Sequence, residues 1–376
     1  MTRWLWDRSW LVLLAGFLVA STVYNVASSD GYLTVANFVN LFELSVERII
    51  VVVVMTSVIV AGEIDLSVGS VMVFAAAVVA SIHENGGPFL VAILVALVAA
   101  ATVGLVHGLV VTRLGIPSLV VTLAGLIGWR GAARVLVEDR SIGDFPSWFD
   151  TLGQEELVGP LPASVVLFLV MLAVGGVVLG RSRLGRHLYT IGDNAEVARF
   201  AGVAVDRVRV GLFVASSLSA GVAGILFAAR LGSVRGDMAY GYELEIITVV
   251  LLGGVSIFGG SGRMAGVALA ILIVLNVRNG LGLANIDGST QTGVIGVILI
   301  ASVVAQRALS HIDRPGATAE PEPPEDPADP AAPEEATGAE WLSPYRTWLS
   351  PYPMWLSPYP MWLIPYPMRS SPYLTW

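Results

Sequence analysis

The chain contains no cysteine and no lysine, and it carries few charges of either sign. Without cysteine there is neither a disulfide framework nor thiolate chemistry. Without lysine there is no phosphate-binding GxxxxGK[ST] loop and no Schiff-base amine. If ATP drives this protein, another subunit binds it. All 21 basic residues are Arg, and charged residues make up 13% of the 376, against about 25% in an ordinary soluble domain. With 55% hydrophobic residues and a mean hydropathy of +0.75, this is the composition of an integral membrane protein.

The formal charge of −8 misdescribes the apolar part. Much of it lies in residues 313–340, rich in Pro, Ala, Glu and Asp, which read as a disordered linker because they hold little that could form a core. Residues 341–376 form a seven-residue repeat with Trp341, Trp348, Trp355 and Trp362 in phase. The prolines in each unit remove amide donors and exclude a coiled coil. The repeat reads as a recent tandem expansion or frame-shift without a role, against a membrane-surface or partner-binding aromatic tail.

About 20 apolar residues cross a bilayer as helix. That rule places spans near 9–28, 46–62, 68–83, 89–112, 117–137, 162–180, 206–230, 244–258, 263–280 and 293–310, predicting an all-α polytopic fold of about ten spans over a transmembrane domain of residues 1–312. The first reads as a retained span, because no charged leader with a cleavage site precedes it. With the amino terminus inside, Arg3, Arg8, Arg113, Arg181, Arg183, Arg186, Arg199, Arg207, Arg209, Arg263, Arg307 and Arg314 fall on or near the inner side. The acidic loop 138–159 falls outside. This obeys the positive-inside rule and predicts cytoplasmic termini.

The longest inward loop before the tail, residues 181–209, mixes both charges. Its DNAEVARFAGV run has a start signal at Asp193 or Asn194 and a stop at Gly202. A short amphipathic helix follows, either anchored at the lipid interface or docked on a partner.

Two interruptions stand out. In AGEIDLSVGS, Glu63 and Asp65 sit among apolar neighbours, with Ser67, Gly69 and Ser70 beside them. Asp65 and Ser67 would cap a helix starting near Val68, at the positive end of its dipole. Alternatively these groups line a transport path or gate. Acid–base catalysis is the remaining alternative, with no His or partner acid beside the pair in sequence. The second interruption, LLGGVSIFGGSGRMAG, carries Gly253, Gly254, Gly259, Gly260 and Gly262, and reads as a tight hairpin or a discontinuous helix. Among other polar residues, His107 reads as a hydrogen-bonded packing residue, with no second His at metal-ligand spacing and no metal expected. Trp129 and Arg130 interrupt a span, and Arg130 calls for an acid on another helix or across a dimer.

The stretches GEIDLSVGSVMVFAAAVVA, PSLVVTLAGLIGWRGAARVL, GRHLYTIGDNAEVARFAGVAVDRVRV, AARLGSVRGDMAYGYELEIITVVLLGGVSIFGGSGRMAGVALAILIVLNVRNGLGLAN and GVIGVILIASVV occur in one order over roughly residues 40–310. Together they resemble the permease subunit of the ribose-type ATP-binding cassette sugar importers. The ending RNGLGLANIDGSTQTGVIG looks most like rhamnose-type members, in a family that also serves ribose, xylose, galactose and autoinducer-2. The resemblance implies a non-enzymatic transport subunit in the inner (plasma) membrane. It also implies a second permease copy or a sister permease, a cytoplasmic ATPase that holds ATP and Mg, a sugar-binding protein outside, and no nucleic acid. It assigns Gly192, Asp193, Asn194, Glu196, Ala198, Arg199 and Gly202 to a coupling helix that docks on the ATPase, and places Glu243 and Glu245 near the outer, binding-protein side. Two departures are visible: Gly62-Glu63 stands where the family has paired glycines, and Gly192-Asp193-Asn194 where it commonly reads GGN. Glu63 is expected to be water-accessible or ion-paired. The rival class is an ion-coupled secondary carrier, which needs ionisable groups within spans.

Overall fold

The computed structural model describes residues 2–43, 45–149 and 163–312. The expected linker and repeat lie outside the described residues. Among the described residues thirteen helices follow one another: α1 Thr2–Ser28, α2 Val35–Glu43, α3 Val46–Val60, α4 Val68–Glu84, α5 Phe89–Leu114, α6 Ser118–Val137, α7 Ala163–Arg181, α8 Arg183–Asp193, α9 Ala195–Phe200, α10 Val205–Leu231, α11 Tyr242–Leu252, α12 Met264–Leu283 and α13 Gly288–Ile312. Among the described residues the extended pairing is a single bridge between Ile142 and Val234.

Valine and isoleucine dominate α3, although β-branching lowers helix propensity in water. In hydrocarbon the balance reverses, because every backbone group must be satisfied within the segment. Among the described residues five helices (α1, α5, α6, α10 and α12) contain stretches long and apolar enough to cross a bilayer alone. The expected spans also map onto α3, α4, α7, α11 and α13, so the all-α polytopic expectation holds. The eighth expected span, 244–258, shortens to the eleven residues of α11 because Gly253 and Gly254 end the helix.

The buried centre is α10, packed against α3, α4 and α5, while α4 also packs on α6, and α1 on α12. Small residues permit the close approach. A Cβ on Gly104 would lie 2.4 Å from the Phe213 carbonyl oxygen, and one on Gly224 would lie 2.0 Å from that of Met72. Such contacts let backbones meet where apolar burial gives no drive between helices already in lipid.

Helices α8 and α9 and the 253–263 loop gather at one end of this bundle, bringing Arg181, Arg183, Arg186, Arg199, Arg207, Arg209 and Arg263 together. The opposite end carries α2 and the α4–α5 connection. At this opposite end, Asp287 caps α13, with Oδ1 accepting the Thr290 N–H and Oδ2 its hydroxyl. Those donors hold the Asp287 carboxyl below its ordinary range.

Candidate functional site: a backbone junction beside α9

Helix α3 ends in a Schellman turn. The Gly62 N–H donates to the Ile59 carbonyl at 2.9 Å and the Glu63 N–H to that of Val58 at 3.1 Å, with Gly62 at φ 79°. The chain then runs non-helically to Ser67, where α4 begins. The AGEIDLSVGS stretch is therefore a helix break, as its sequence indicates.

Asp65 organises that break. Its side chain is 0% exposed. Oδ1 accepts the Ser67 N–H at 2.9 Å and the Ser67 hydroxyl at 2.6 Å, while Oδ2 accepts the Ser216 hydroxyl from α10 at 2.7 Å. Ser67 Oγ lies 3.4 Å from His107 Nδ1, and the Trp129 indole donates to His107 Nε2 at 3.1 Å. With Nε2 accepting, the neutral ring carries its proton on Nδ1. Among the described residues no basic side chain lies within ion-pair distance of Asp65. Its neighbours are hydroxyls, an amide and the N-terminal end of α4. Ser67 occupies the cap position but makes no side-chain cap bond, so the expectation of two capping residues is corrected to Asp65 acting through an Asx turn. From α6, the Ser118 hydroxyl accepts the Ile64 N–H at 3.3 Å and Thr122 donates to the Ile64 carbonyl at 3.2 Å. Ser70 donates to the Leu126 carbonyl at 2.6 Å.

Glu63 is ion-paired. Its Oε1 lies 2.7 Å from Arg209 Nε at the foot of α10, with side-chain exposures of 6% and 23%. The Nε–H does not point at the oxygen, so this is a close charge pair rather than a directed hydrogen bond. Arg209, Arg199, Asp206, Glu63 and Ser118 line a cavity of about 350 Å³ at the Arg-rich end. Glu63→Gln is expected to lower stability by about 1–3 kcal/mol, between the exposed and buried limits for ion pairs. The exchange Glu63→Arg/Arg209→Glu should recover part of it. Thermal unfolding in detergent checks both, and an unchanged midpoint in Glu63→Gln would make the acid incidental.

Three chain segments meet backbone to backbone beside this cavity. The Gly260 N–H donates to the Val60 carbonyl at 2.9 Å. A Cβ on Gly192 would stand 2.0 Å from that carbonyl oxygen and 2.4 Å from Gly260 N, and one on Gly259 would stand 2.7 Å from Gly62 N. The end of α3, the end of α8 and the α11–α12 loop are thus joined without intervening side chains. Tyr189 reinforces the joint by donating to the Gly262 carbonyl at 2.8 Å. Gly253 packs on Val267 and Gly254 on the Trp10 ring, whose indole donates to the Leu252 carbonyl.

Helix α9 continues directly from this joint. Asn194, one of the two expected starts, is the cap, accepting the Glu196 and Val197 N–H groups at 2.9 and 3.1 Å. Gly202, at φ 82°, ends the helix in a second Schellman turn through Gly202 N–H to Arg199 and Val203 N–H to Ala198. Arg199 pairs with Asp206 at 2.8 Å, holding α9 to the foot of α10. Of the residues that the resemblance assigns to the coupling helix, Ala198 is 0% exposed and Gly192 is wedged in the joint, so these two present no side chain at the surface. Glu196 and Arg199 of that assignment are exposed, and beside them stand two exposed apolar residues outside it, Phe200 at 92% and Val197 at 56%. Their signal is local: two large apolar positions three apart in a six-residue helix whose other residues are Ala, Glu and Arg.

Arg130 meets the 232–241 connection, donating to the Met238 carbonyl at 3.1 Å and standing 3.8 Å from Glu243 within the same chain. Glu243 is buried against Gly69, and Glu245 is nearly buried between Arg48 and Arg278, so neither is an exposed acid awaiting an outside partner.

These features define an α-helical membrane protein with broken helices and an end-mounted amphipathic helix. The family described as branched-chain amino acid transport system / permease component matches residues 37–303. Relatives include the autoinducer 2 import system permease protein LsrD of Escherichia coli (strain K12), 32% identical over 268 residues, covering 70% of this chain and 81% of that protein. LsrD of Shigella flexneri and of Escherichia coli O157:H7 match with the same values. No solved structure matches the chain. The chain belongs to this permease family, as a transport permease of the ATP-binding cassette sugar-importer class.

Proposed function

We propose that this chain is the membrane-spanning, non-enzymatic subunit of an ATP-driven importer of a compact, hydroxylated, monosaccharide-like molecule. The observation that carries this reading is α9: a capped helix at the Arg-rich end, with Phe200 and Val197 turned outward, joined through Gly192 to both broken segments. A partner that moves α9 moves the α3–α4 break and the α11–α12 loop with it. The partner is a cytoplasmic ATPase holding ATP and Mg, because this chain has no lysine for a phosphate loop. The Arg-rich end and both termini face the cytoplasm of a plasma (inner) membrane. A second copy or sister permease completes the membrane unit, and a sugar-binding protein delivers substrate from outside. Autoinducer-2 stands ahead of rhamnose or ribose as substrate, because the relatives described above carry that name. Xylose and galactose follow.

The substrate is tested by reconstituting the chain with the ATPase and measuring ATP hydrolysis with binding proteins loaded with each candidate. One loaded protein should raise hydrolysis well above its unloaded form. Equal rates with all of them would reject the substrate class. The competing reading, an ion-coupled carrier, draws on the buried Asp65–Ser67–His107 chain. It requires substrate movement on an ion gradient with no ATPase present.

A further inference from the structure

At the end of the bundle opposite α9, a cavity of about 340 Å³ opens between α2, α3, α12 and α13, at the lower end of the size range for small-ligand sites. Its polar lining comprises Asn37, Asn40, Ser45, Arg48, Arg278 and Asn279. Glu245 holds two of these in place, with Oε1 2.8 Å from Arg48 Nη1 and Oε2 2.7 Å from Arg278 Nη2. Arg48 is further fixed by Nη2 donating to Ser45 Oγ at 3.4 Å and by its place over the Tyr242 ring. Arg278 Nε is buried and has no hydrogen-bond partner, a state that costs free energy unless an acceptor completes it. Asn37 and Asn279 exchange amide hydrogen bonds at 3.0 and 2.7 Å, and Asn37 also donates to the Tyr32 carbonyl, so this wall is fixed in advance.

The flank of the cavity indicates what supplies the acceptor. Helix α2 turns Asn37, Asn40 and Leu41 toward the cavity but leaves Val35 72% and Phe38 61% exposed. It is a nine-residue amphipathic helix at the boundary where α1 ends and α3 begins, the position of an interfacial helix.

We propose that this cavity holds the phosphate headgroup of an anionic phospholipid of the phosphatidylglycerol type. The phosphate oxygens meet Arg278 and Arg48, the glycerol hydroxyls meet the Asn37–Asn40–Asn279 amides, and the acyl chains run along Phe38 and Val35. A free phosphate would satisfy the guanidinium groups but leave the apolar flank unused. This inference rests on the membrane-spanning fold and is independent of the transported substrate.

The test is native mass spectrometry of the full chain released from nanodiscs of mixed phosphatidylglycerol and phosphatidylcholine. Wild type should retain phosphatidylglycerol over phosphatidylcholine by about tenfold. Arg278→Gln should bring retention close to parity. Asn40→Ala leaves the Arg48–Glu245–Arg278 cluster intact, and should cut retention several-fold without changing the unfolding temperature. No preference in wild type would overturn the proposal, as would a preference unchanged in both variants. Displacement of the retained lipid by glycerol 3-phosphate or inorganic phosphate at millimolar concentration would reassign the site to a soluble anion and overturn the lipid assignment.

Discussion

Gly192→Val is expected to abolish coupled transport and to lower stability by about 3 kcal/mol or more. The estimate combines overpacking of a tight contact, about 1–3 kcal/mol, with loss of a backbone hydrogen bond, about 1 kcal/mol. The new Cβ would stand 2.0 Å from the Val60 carbonyl oxygen and 2.4 Å from Gly260 N, between the partners of the bond joining the two broken segments. Neither neighbour is a flexible side-chain end that could swing aside. Gly202→Ala is the informative control, because Gly202 has φ 82° but nothing within 4 Å of its would-be Cβ. Its cost is backbone strain alone, about 1 kcal/mol. Unfolding midpoints and reconstituted transport, measured side by side, should separate the two glycines clearly. Wild-type transport in Gly192→Val would mean that the junction is not a mechanical joint.

Asp65→Ala is expected to have the next largest effect, about 3 kcal/mol or more, because it strands three donors at once, each worth about 1–3 kcal/mol when buried without an acceptor. These are the Ser67 N–H, the Ser67 hydroxyl and the Ser216 hydroxyl. Ser216→Ala removes one of them and should cost about 1 kcal/mol. The double variant should then show a coupling energy of about 0.5–3 kcal/mol between Asp65 and Ser216, measured by thermal or denaturant unfolding. Strict additivity would show that α10 does not hold the break through this bond.

Local signals were legible in the sequence, and long-range partners were not. The spans followed from apolar runs of membrane length, and the ends of α9 followed from Asn194 and Gly202, whose capping chemistry is local. Where Gly253-Gly254 cut a run short, the expected span overshot α11 by several residues. Helices α2 and α8 went unpredicted because they are too short and polar to register as spans. Asp65 was visible as a break-forming acid, but Ser216, 151 positions away, was not. The same holds for Arg209 as the partner of Glu63, and for the meeting of Gly192, Val60 and Gly260. Glycine at a close backbone approach looks, in one sequence, like glycine anywhere else. The resemblance names Ala198 for the docking helix, yet Ala198 is buried, while Phe200 and Val197 are the exposed apolar residues of α9.

Helix α9 is the element on which the driving partner is expected to engage. The most direct measurement is co-purification of the full chain with its ATPase, comparing wild type with Phe200→Glu and Val197→Glu. Both positions are outward-facing, so the substitutions leave the Arg199–Asp206 pair and the Gly192 junction in place. Capture by wild type, loss of capture in Phe200→Glu, and unchanged unfolding temperatures are the expected results. Full capture and coupled transport in both variants would contradict this role of α9, as would a wild-type chain that captures no ATPase and moves substrate on an ion gradient alone.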